Sequence, residues 1–500
     1  MSLMKLKSGT DIRGTAIGEK TDLTDDAVKK IIAGFIEVVC RKTGRASDEL
    51  TVAIGHDSRL SAERIRNDAV SVLSHYDVKI LDCGLASTPA MFMTTVTIGC
   101  DAAVQITASH HPSDKNGLKF FTENGGFENE DIIKILEYAE KADISEIKEA
   151  DNSEKIDFMS QYAQMHRQMI CEGINAENYE KPLEGFHIVT DAGNGVGGFY
   201  ATEILEKLGA DISGSLYLDP DGNFPNHIPN PENAVAMKSI SDAVINSGAD
   251  FGIIFDTDVD RSACVDSEGN EINRNSLIAL ASVIALENNQ GGTIVTDSVT
   301  SDGLKYFIEN VLGGKHHRFK RGYKNVINEA LRLNKTGINS PLAIETSGHA
   351  ALRENYFLDD GAYLITKIII LLANLKKEGR TPADLIKKLP KPLEEKELRF
   401  RILCEDFRTC GQNIIKAFEE YAKNREGWNI ADDNHEGLRV SLDKNHGDGW
   451  MLLRLSVHDP ILPFNAESNS EGGVKQIISE FSSFIRTQES VDCSVLEGCD

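Results

Sequence analysis

At 500 residues, with hydrophobic residues at 41% and charged residues at 26%, the chain has an ordinary globular composition and is too long for one core, so three or four domains are expected. Its 78 Asp and Glu outweigh 53 Lys and Arg for a net charge of -25, which argues against a nucleic-acid-binding surface and against docking on anionic lipid. Any anionic ligand must then be held by a local basic pocket, and nine scattered cysteines with no Cys-x-x-Cys pair suggest neither a disulfide framework nor a zinc site, as in a reducing cytoplasm.

The opening "MSLMKLKSGTDIRG" has no hydrophobic signal core, so no export is expected. A first helix is expected after Thr24, an N-cap followed by Asp25 and Asp26 at the positive helix end, with Val28, Ile31, Ile32, Phe35 and Ile36 on one face. Four short apolar runs then end in Gly- or Asp-rich loops and lead into helical periodicity: "LTVAIGHDSRLS" (50–61), "FHIVTDAGNGVGG" (186–198), "FGIIFDTDVDRS" (251–262) and "GTIVTDSVTSDGL" (292–304). They read as strand-loop-helix units of α/β domains, recurring in three successive segments, with ligands expected at the carboxyl ends of the strands. The most apolar run, "YLITKIIILLANLKK" from Tyr363, is interrupted by Lys367 and falls short of the roughly 20 residues that span a bilayer, so it reads as a buried helix. Pro390 and Pro392 mark a linker, and beyond it alternation such as "WMLLRLSVHDP" predicts a smaller α+β domain. The resulting partition is 1–170, 171–285, 286–392 and 393–500.

Two stretches carry chemistry. In "IIFDTDVDRSA", Asp256, Asp258 and Asp260 follow an apolar strand, and three carboxylates so close repel unless a hard divalent cation neutralises them. An EF-hand fails, because Arg261 stands where that loop needs Gly and Ser267 where it needs Glu. An acidic surface turn is the plain alternative. A phosphatase of the haloacid-dehalogenase type would use Asp256 itself as phosphoryl acceptor, but it leaves Asp260 and Arg261 without a role. In "TASHHPSDKNGLKF", Ser109 is the competing acceptor, since cations beside a serine stabilise a phosphoserine and the charge on a transferring phosphoryl group. Its plain alternative is a turn serine.

Together with "SGTDIRG", "ETSGH" at 345–349, "DDGAY" at 359–363 and "RLSVHDP" at 454–460, these motifs stand in the order and approximate spacing of the α-D-phosphohexomutases, which the chain resembles over essentially its whole length. The resemblance implies three similar mixed α/β domains plus a smaller C-terminal α+β domain. It further implies that Ser109 is carried as phosphoserine, with Mg²⁺ bound by a phosphoserine oxygen and by Asp256, Asp258 and Asp260. Arg261 would stabilise the phosphoserine, and Lys119 and Arg13 would act as cations near the reacting oxygens, with Lys119 the candidate general acid/base. Glu345 and Ser347 would grip ring hydroxyls, and Arg454 and Ser456 would hold the non-reacting phosphate. Implied partners are a hexose phosphate and a bisphosphate activator, in a cytoplasmic monomer or homodimer. Two departures matter: Val457, His458 and Asp459 replace the common Gly-Thr-Glu of the phosphate loop, and Tyr323 stands where many relatives carry His. His349 reads equally as structural or functional. The other readings left open are phosphoglucosamine mutase, differing chiefly at Thr346, the Asp256 phosphatase, and a non-catalytic sugar-phosphate-binding regulator.

Overall fold

Thr24 accepts a hydrogen bond from the Ala27 amide at 3.2 Å and starts the helix Asp25–Thr43, which Gly44 ends in the left-handed conformation. Val28, Ile31, Ile32, Phe35 and Ile36 are buried on its inner face, as the 3.6-residue period requires. The chain is described here by a computed structural model covering residues 2–456 and 459–498. Its contacts divide it into two units, one of residues up to 284 with 347–385, the other of 285–346 with 386–500.

In the first unit, Thr51–His56 runs parallel between Lys79–Leu85 and Ala102–Ile106, and then Lys115–Thr122 returns antiparallel to Ala102–Ile106. Asp11–Thr15 adds antiparallel to Lys115–Thr122. Every residue of Ala102–Ile106 is buried, the mark of a strand covered on both faces. A second sheet pairs Ile188–Asp191 parallel with Phe251–Phe255. The run after Phe255 departs from expectation: it does not enter a helix but turns back as the antiparallel strand Ser262–Asp266. "SACVD" pairs residue for residue with "FGIIF", so the loop 256–261 is the tip of a hairpin whose two arms hold it from both ends.

The apolar run from Tyr363 lies in the helix Gly361–Lys377, buried along most of its length and packed on Phe158–Ile174. The polar groups sealed between these helices are satisfied: His166 Nδ1 and Tyr200 OH both meet Thr366 Oγ1, at 2.8 and 2.9 Å, and Tyr162 OH donates to Asp360 at 2.8 Å. Among the described residues no helix is long and apolar enough to cross a membrane.

In the second unit, Thr293–Thr296 pairs parallel with Lys315–Arg318 and Leu342–Ile344. After Pro392, Glu394–Ile402 begins an antiparallel sheet with Ile461–Ser468, Gly449–Leu453, Leu438–Leu442 and Trp428–Ile430. Leu398, Phe400 and Ile402 alternate inward against the helices Phe407–Lys423 and Gly473–Ile485, which makes this part α+β. The cysteine pattern is corrected here: Cys404 and Cys410 are joined in a disulfide, although the sequence suggested none. The strand end and the first helical turn bring together two cysteines whose six-residue separation carries no recognisable spacing motif.

Two glycines let neighbouring chain reach the 256–261 loop. A Cβ on Gly195 would stand 2.5 Å from the Thr257 carbonyl oxygen, and one on Gly361 would stand 2.8 Å from the Arg261 carbonyl carbon. Neither backbone neighbour can yield without moving the acidic loop. Gly195→Ala is therefore expected to lower stability by about 1–3 kcal/mol in denaturant titration, the usual range for overpacking. Gly126→Ala, whose Cβ would meet only ordinary contacts from 3.6 Å, serves as the neutral comparison. Equal unfolding midpoints for the two variants would refute the close-packing role of Gly195.

Candidate active site

Ser109 lies three residues past the strand Ala102–Ile106, almost fully buried and at φ 51°, a left-handed conformation that costs a serine energy unless its surroundings impose it. The imposing residue is Arg59. Its guanidinium is completely buried, pairs with Asp57, and donates to the carbonyls of Ser109, His111, Pro112 and Lys115, bracing the whole turn from beneath. Asp57 also accepts from Thr107 Oγ1 at 2.7 Å, and Thr107 Oγ1 accepts from the Ser109 amide at 2.8 Å. The sequence reading missed Asp57 and Arg59. The available signal was "HDSR" directly at the carboxyl end of the neighbouring strand Thr51–His56.

The Ser109 hydroxyl points at the acidic hairpin tip. It donates to Asp256 Oδ2 at 3.0 Å, accepts from Arg261 Nη2 at 3.2 Å, and lies 3.3 Å from His110 Nδ1. Arg261 closes on Asp256 with its amide on Oδ1 at 3.2 Å and its Nε on Oδ2 at 3.1 Å. Lys119, inward-facing on Lys115–Thr122, forms an ion pair with Asp260 and approaches Asp258 at 3.5 Å. Thr88 caps the same tip, its hydroxyl on Asp258 Oδ2 and its amide on the Asp258 carbonyl at 2.9 Å. Val259, a β-branched residue at φ 67°, is the second strained position of the site.

The three aspartates are at most 1% exposed and offer oxygens within 4.8 Å of one another. Among the described residues Asp258 Oδ1 and Asp260 Oδ1 are buried and accept no hydrogen bond. Buried acceptors left without a donor are costly, and a hard cation is the ligand that hard carboxylate oxygens in this arrangement fit. Burial, then the charge of Asp260, push the Asp256 carboxyl well up. Burial also works against the Asp260 anion, but Lys119, His349 and Arg261 outweigh it and hold that carboxyl below the ordinary range.

His349 belongs to this cluster. Burial disfavours its cation, yet Asp359, hydrogen-bonded to Nδ1, and Asp260, 3.9 Å away, raise its pKa to about 9. These two carboxylates favour the cationic form of this half-buried imidazole beside the acidic tip. His110 and His111, stacked at 5.0 Å, go the other way: burial and then Arg261 push His110 down, and burial and then Arg13 bring His111 to about 4. Arg13 reaches the serine turn through the Ala108 carbonyl at 3.4 Å and pairs with Asp11 at 2.7 Å. Ser347 is also in this unit, its hydroxyl buried without a hydrogen-bond partner among the described residues.

The second unit holds the other expected residues. Glu345 is buried and accepts from the Gly322 amide at 2.6 Å, immediately before Tyr323 opens the helix Tyr323–Lys335. Thr346 Oγ1 donates to Asp297 at 2.7 Å. Arg454 is fixed by its amide on the Pro463 carbonyl at 3.0 Å; burial lowers its guanidinium pKa, with the charge of Glu436 opposing and that of Arg321 adding to the fall. Ser456 donates its amide to Ile461 at 3.1 Å, and its Oγ accepts from the Asp459 amide at 3.2 Å. The departures at Val457 and His458 lie outside the described residues.

The chain as a whole is similar to known proteins in sequence and in fold. Family models described as phosphoglucomutase/phosphomannomutase, alpha/beta/alpha domains I, II and III, match residues 4–145, 162–269 and 273–393, together most of the chain. A phosphomannomutase/phosphoglucomutase of Pseudomonas aeruginosa is 29% identical over 446 residues, 89% of each chain. A probable phosphoglucosamine mutase of Methanopyrus kandleri is 27% identical over 450 residues, 89% of this chain and 93% of its own. The crystal structure of a phosphoglucomutase/phosphomannomutase family protein from Burkholderia thailandensis superposes with a TM-score of 0.80 at 25% identity, covering 98% of both chains. The chain is an enzyme that transfers phosphate within a sugar, and it belongs to the phosphoglucomutase/phosphomannomutase family of α-D-phosphohexomutases.

Proposed function

We propose that this phosphohexomutase interconverts the 1- and 6-phosphates of glucose and mannose by carrying the phosphoryl group on Ser109 and passing through a hexose 1,6-bisphosphate. The observation that carries the reading is the Ser109 hydroxyl itself, braced in a left-handed turn between Arg261 and the buried carboxylates. Ser109 Oγ releases its phosphoryl to a free sugar hydroxyl, and the bisphosphate, turned end for end, returns its other phosphoryl to the same oxygen. Arg261 Nη2 steadies the Oγ through both transfers. Lys119 and His349 set positive charge beside the reacting oxygens, with Lys119 Nζ the proton-transferring group and Arg13 a further cation at the turn. A serine site this rigid holds the donor in line, so positioning supplies much of the rate.

Asp256, Asp258 and Asp260, with a phosphoserine oxygen at Ser109, would hold Mg²⁺, which when bound neutralises charge on the phosphoryl group. Of the other expected groups, Glu345 in the second unit and Ser347 in the first would each meet sugar hydroxyls, Arg454 and Ser456 would hold the non-reacting phosphate, and Tyr323 is a further substrate-binding residue. We assign a bisphosphate activator, a cytoplasmic location, a monomer or homodimer and the partition at 170, 285 and 392 to the same reading. An Asp256 phosphatase is disfavoured, because both Asp256 oxygens are already occupied by Arg261 and one also by Ser109. The name of the Methanopyrus relative keeps phosphoglucosamine mutase as the second reading; product analysis with glucose, mannose and glucosamine 1-phosphates side by side decides between them.

Ser109→Ala is expected to abolish isomerisation by at least about three orders of magnitude, as removal of a covalent nucleophile does. Peptide mass spectrometry of the active parent should find acid-stable phosphate on Ser109. An acid-labile phosphate on Asp256 instead would sink the mechanism.

Chelation should stop turnover, and Asp258→Asn should raise the metal concentration needed for half-maximal rate. Undiminished turnover in excess chelator contradicts the metal assignment.

Arg454→Lys keeps the charge and loses the planar fork, costing roughly 1.5–3 kcal/mol, or about 10- to 150-fold in affinity. We expect a higher KM for glucose 1-phosphate and a new dependence on added glucose 1,6-bisphosphate, because a loosely held intermediate escapes while it turns. Parental KM in this variant would show that Arg454 does not hold the phosphate.

A further inference from the structure

The disulfide Cys404–Cys410 lies where a change in its state reaches the Arg454 segment. Cys404 sits just past the end of Glu394–Ile402, and Cys410 is in the first turn of Phe407–Lys423, whose N-cap Asp406 accepts from the Thr409 amide at 3.1 Å. The bridge therefore ties a strand end to a helix start across a separation of six residues. The next residue in the helix is Gly411, where a Cβ would stand 2.4 Å from Leu455 Cδ1. Leu455 is the residue between Arg454 and Ser456. Its side chain thus seats directly on the helical turn that the disulfide fixes, while the Arg454 and Ser456 amides pin the other side of the segment to Pro463 and Ile461.

Both bridged sulfurs belong to half-exposed residues flanked by exposed Leu403, Glu405, Arg408 and Thr409. By contrast Cys83, Cys100, Cys171 and Cys264 are buried thiols, and burial raises the pKa of each. The bridge packs with one side on the core of this domain, and its exposed neighbours leave the other side within reach of an external thiolate, the condition for thiol–disulfide exchange.

We propose that Cys404–Cys410 is a reversible thiol–disulfide exchange site for a dithiol reductant, and that its opening loosens the phosphate-holding segment through Gly411 and Leu455. One thiolate of the dithiol attacks Cys404 or Cys410, forming a mixed disulfide and releasing the other cysteine as thiolate. The second thiol of the reductant then displaces the first cysteine and leaves as a cyclic disulfide. Two electrons pass to the protein, and the two cysteine thiolates take up the two protons given up by the dithiol. The effect on catalysis rests on the proposed role of Arg454, whereas the exchange chemistry does not.

The experiment uses the full chain after treatment with oxidised or reduced dithiothreitol, with free thiols alkylated before peptide mapping and KM and kcat measured in parallel. The oxidised protein should give a linked peptide pair containing Cys404 and Cys410. Reduction should raise KM for glucose 1-phosphate on the order of two- to tenfold, comparable to weakening one hydrogen bond, with kcat largely kept. Reoxidation should restore it. The Cys404→Ser, Cys410→Ser double variant should show the raised KM in both states, and Cys83→Ser should respond like the parent. Absence of the linked pair overturns the exchange site. A linked pair whose reduction leaves KM unchanged overturns the coupling to the phosphate segment. Arg454→Lys separates the two readings: parental KM there defeats the phosphate role and leaves the peptide map to judge the exchange site alone.

Discussion

Asp256, Asp258 and Asp260 are shut away from water on one hairpin tip, where like charges repel far more strongly than they would at a surface. Every surrounding element supplies something that makes this tolerable. Lys119 comes from an antiparallel strand of the first sheet, Arg261 from the hairpin itself, Thr88 from a helix N-terminus and His349 from the turn before Ala350–Leu352. Of these four residues only Arg261 is close in sequence to the aspartates. The site is therefore a product of the packed sheets: displacing one strand would strand a buried charge, and an unpaired buried charge costs several kcal/mol.

The same reasoning explains the strained backbone. Ser109 and Val259 both occupy left-handed conformations, each costing of order 1–3 kcal/mol. Arg59 offsets the first with four carbonyl hydrogen bonds and the pairing with Asp57. Val259 is held by its carbonyl, which accepts from the Gly361 amide at 3.1 Å, and by glycine close approach on both sides of the loop. Within the site, strained backbone thus falls at the Ser109 turn and at the acidic tip, and in both places neighbouring residues hold it.

What the sequence disclosed follows from range. Ser109, the three aspartates and Arg261 lie in short motifs whose chemistry is local, and the helix from Asp25 and the buried helix from Gly361 follow from caps and periodicity that operate within a few residues. Arg59 acts on Ser109 across 50 residues and Thr88 on Asp258 across 170, so no spacing marks them, whereas His349 and Asp359, ten residues apart, lie in two of the quoted motifs whose pairing the motifs do not state. The strand Ser262–Asp266 was read as the approach to a helix because a four-residue apolar run followed by an acidic loop looks alike in both settings, and only the paired register distinguishes them. Cys404 and Cys410 escaped notice for the opposite reason: they are close in sequence, but what joins them is the angle between a strand and a helix.

A charge count at the site ties the acidic composition to the chemistry. Asp57 is matched by Arg59 and Asp11 by Arg13. That leaves Asp256, Asp258, Asp260 and Asp359, with half-buried Glu232 3.8 Å from Arg261, against Lys119, Arg261 and His349, a deficit of at least one positive charge while Ser109 is unmodified. Placing a phosphoryl group on Ser109 adds about -1.5 to -2 more. The upward push on the Asp256 and Asp359 carboxyls is the response of such a cluster to burial without enough cations. A divalent cation would supply most of the charge that a phosphoserine state would lack, and the oxygens left without donors on Asp258 and Asp260 are where it would be felt most. On this reading phosphorylation of Ser109 and cation binding favour each other, because each reduces the repulsion that opposes the other.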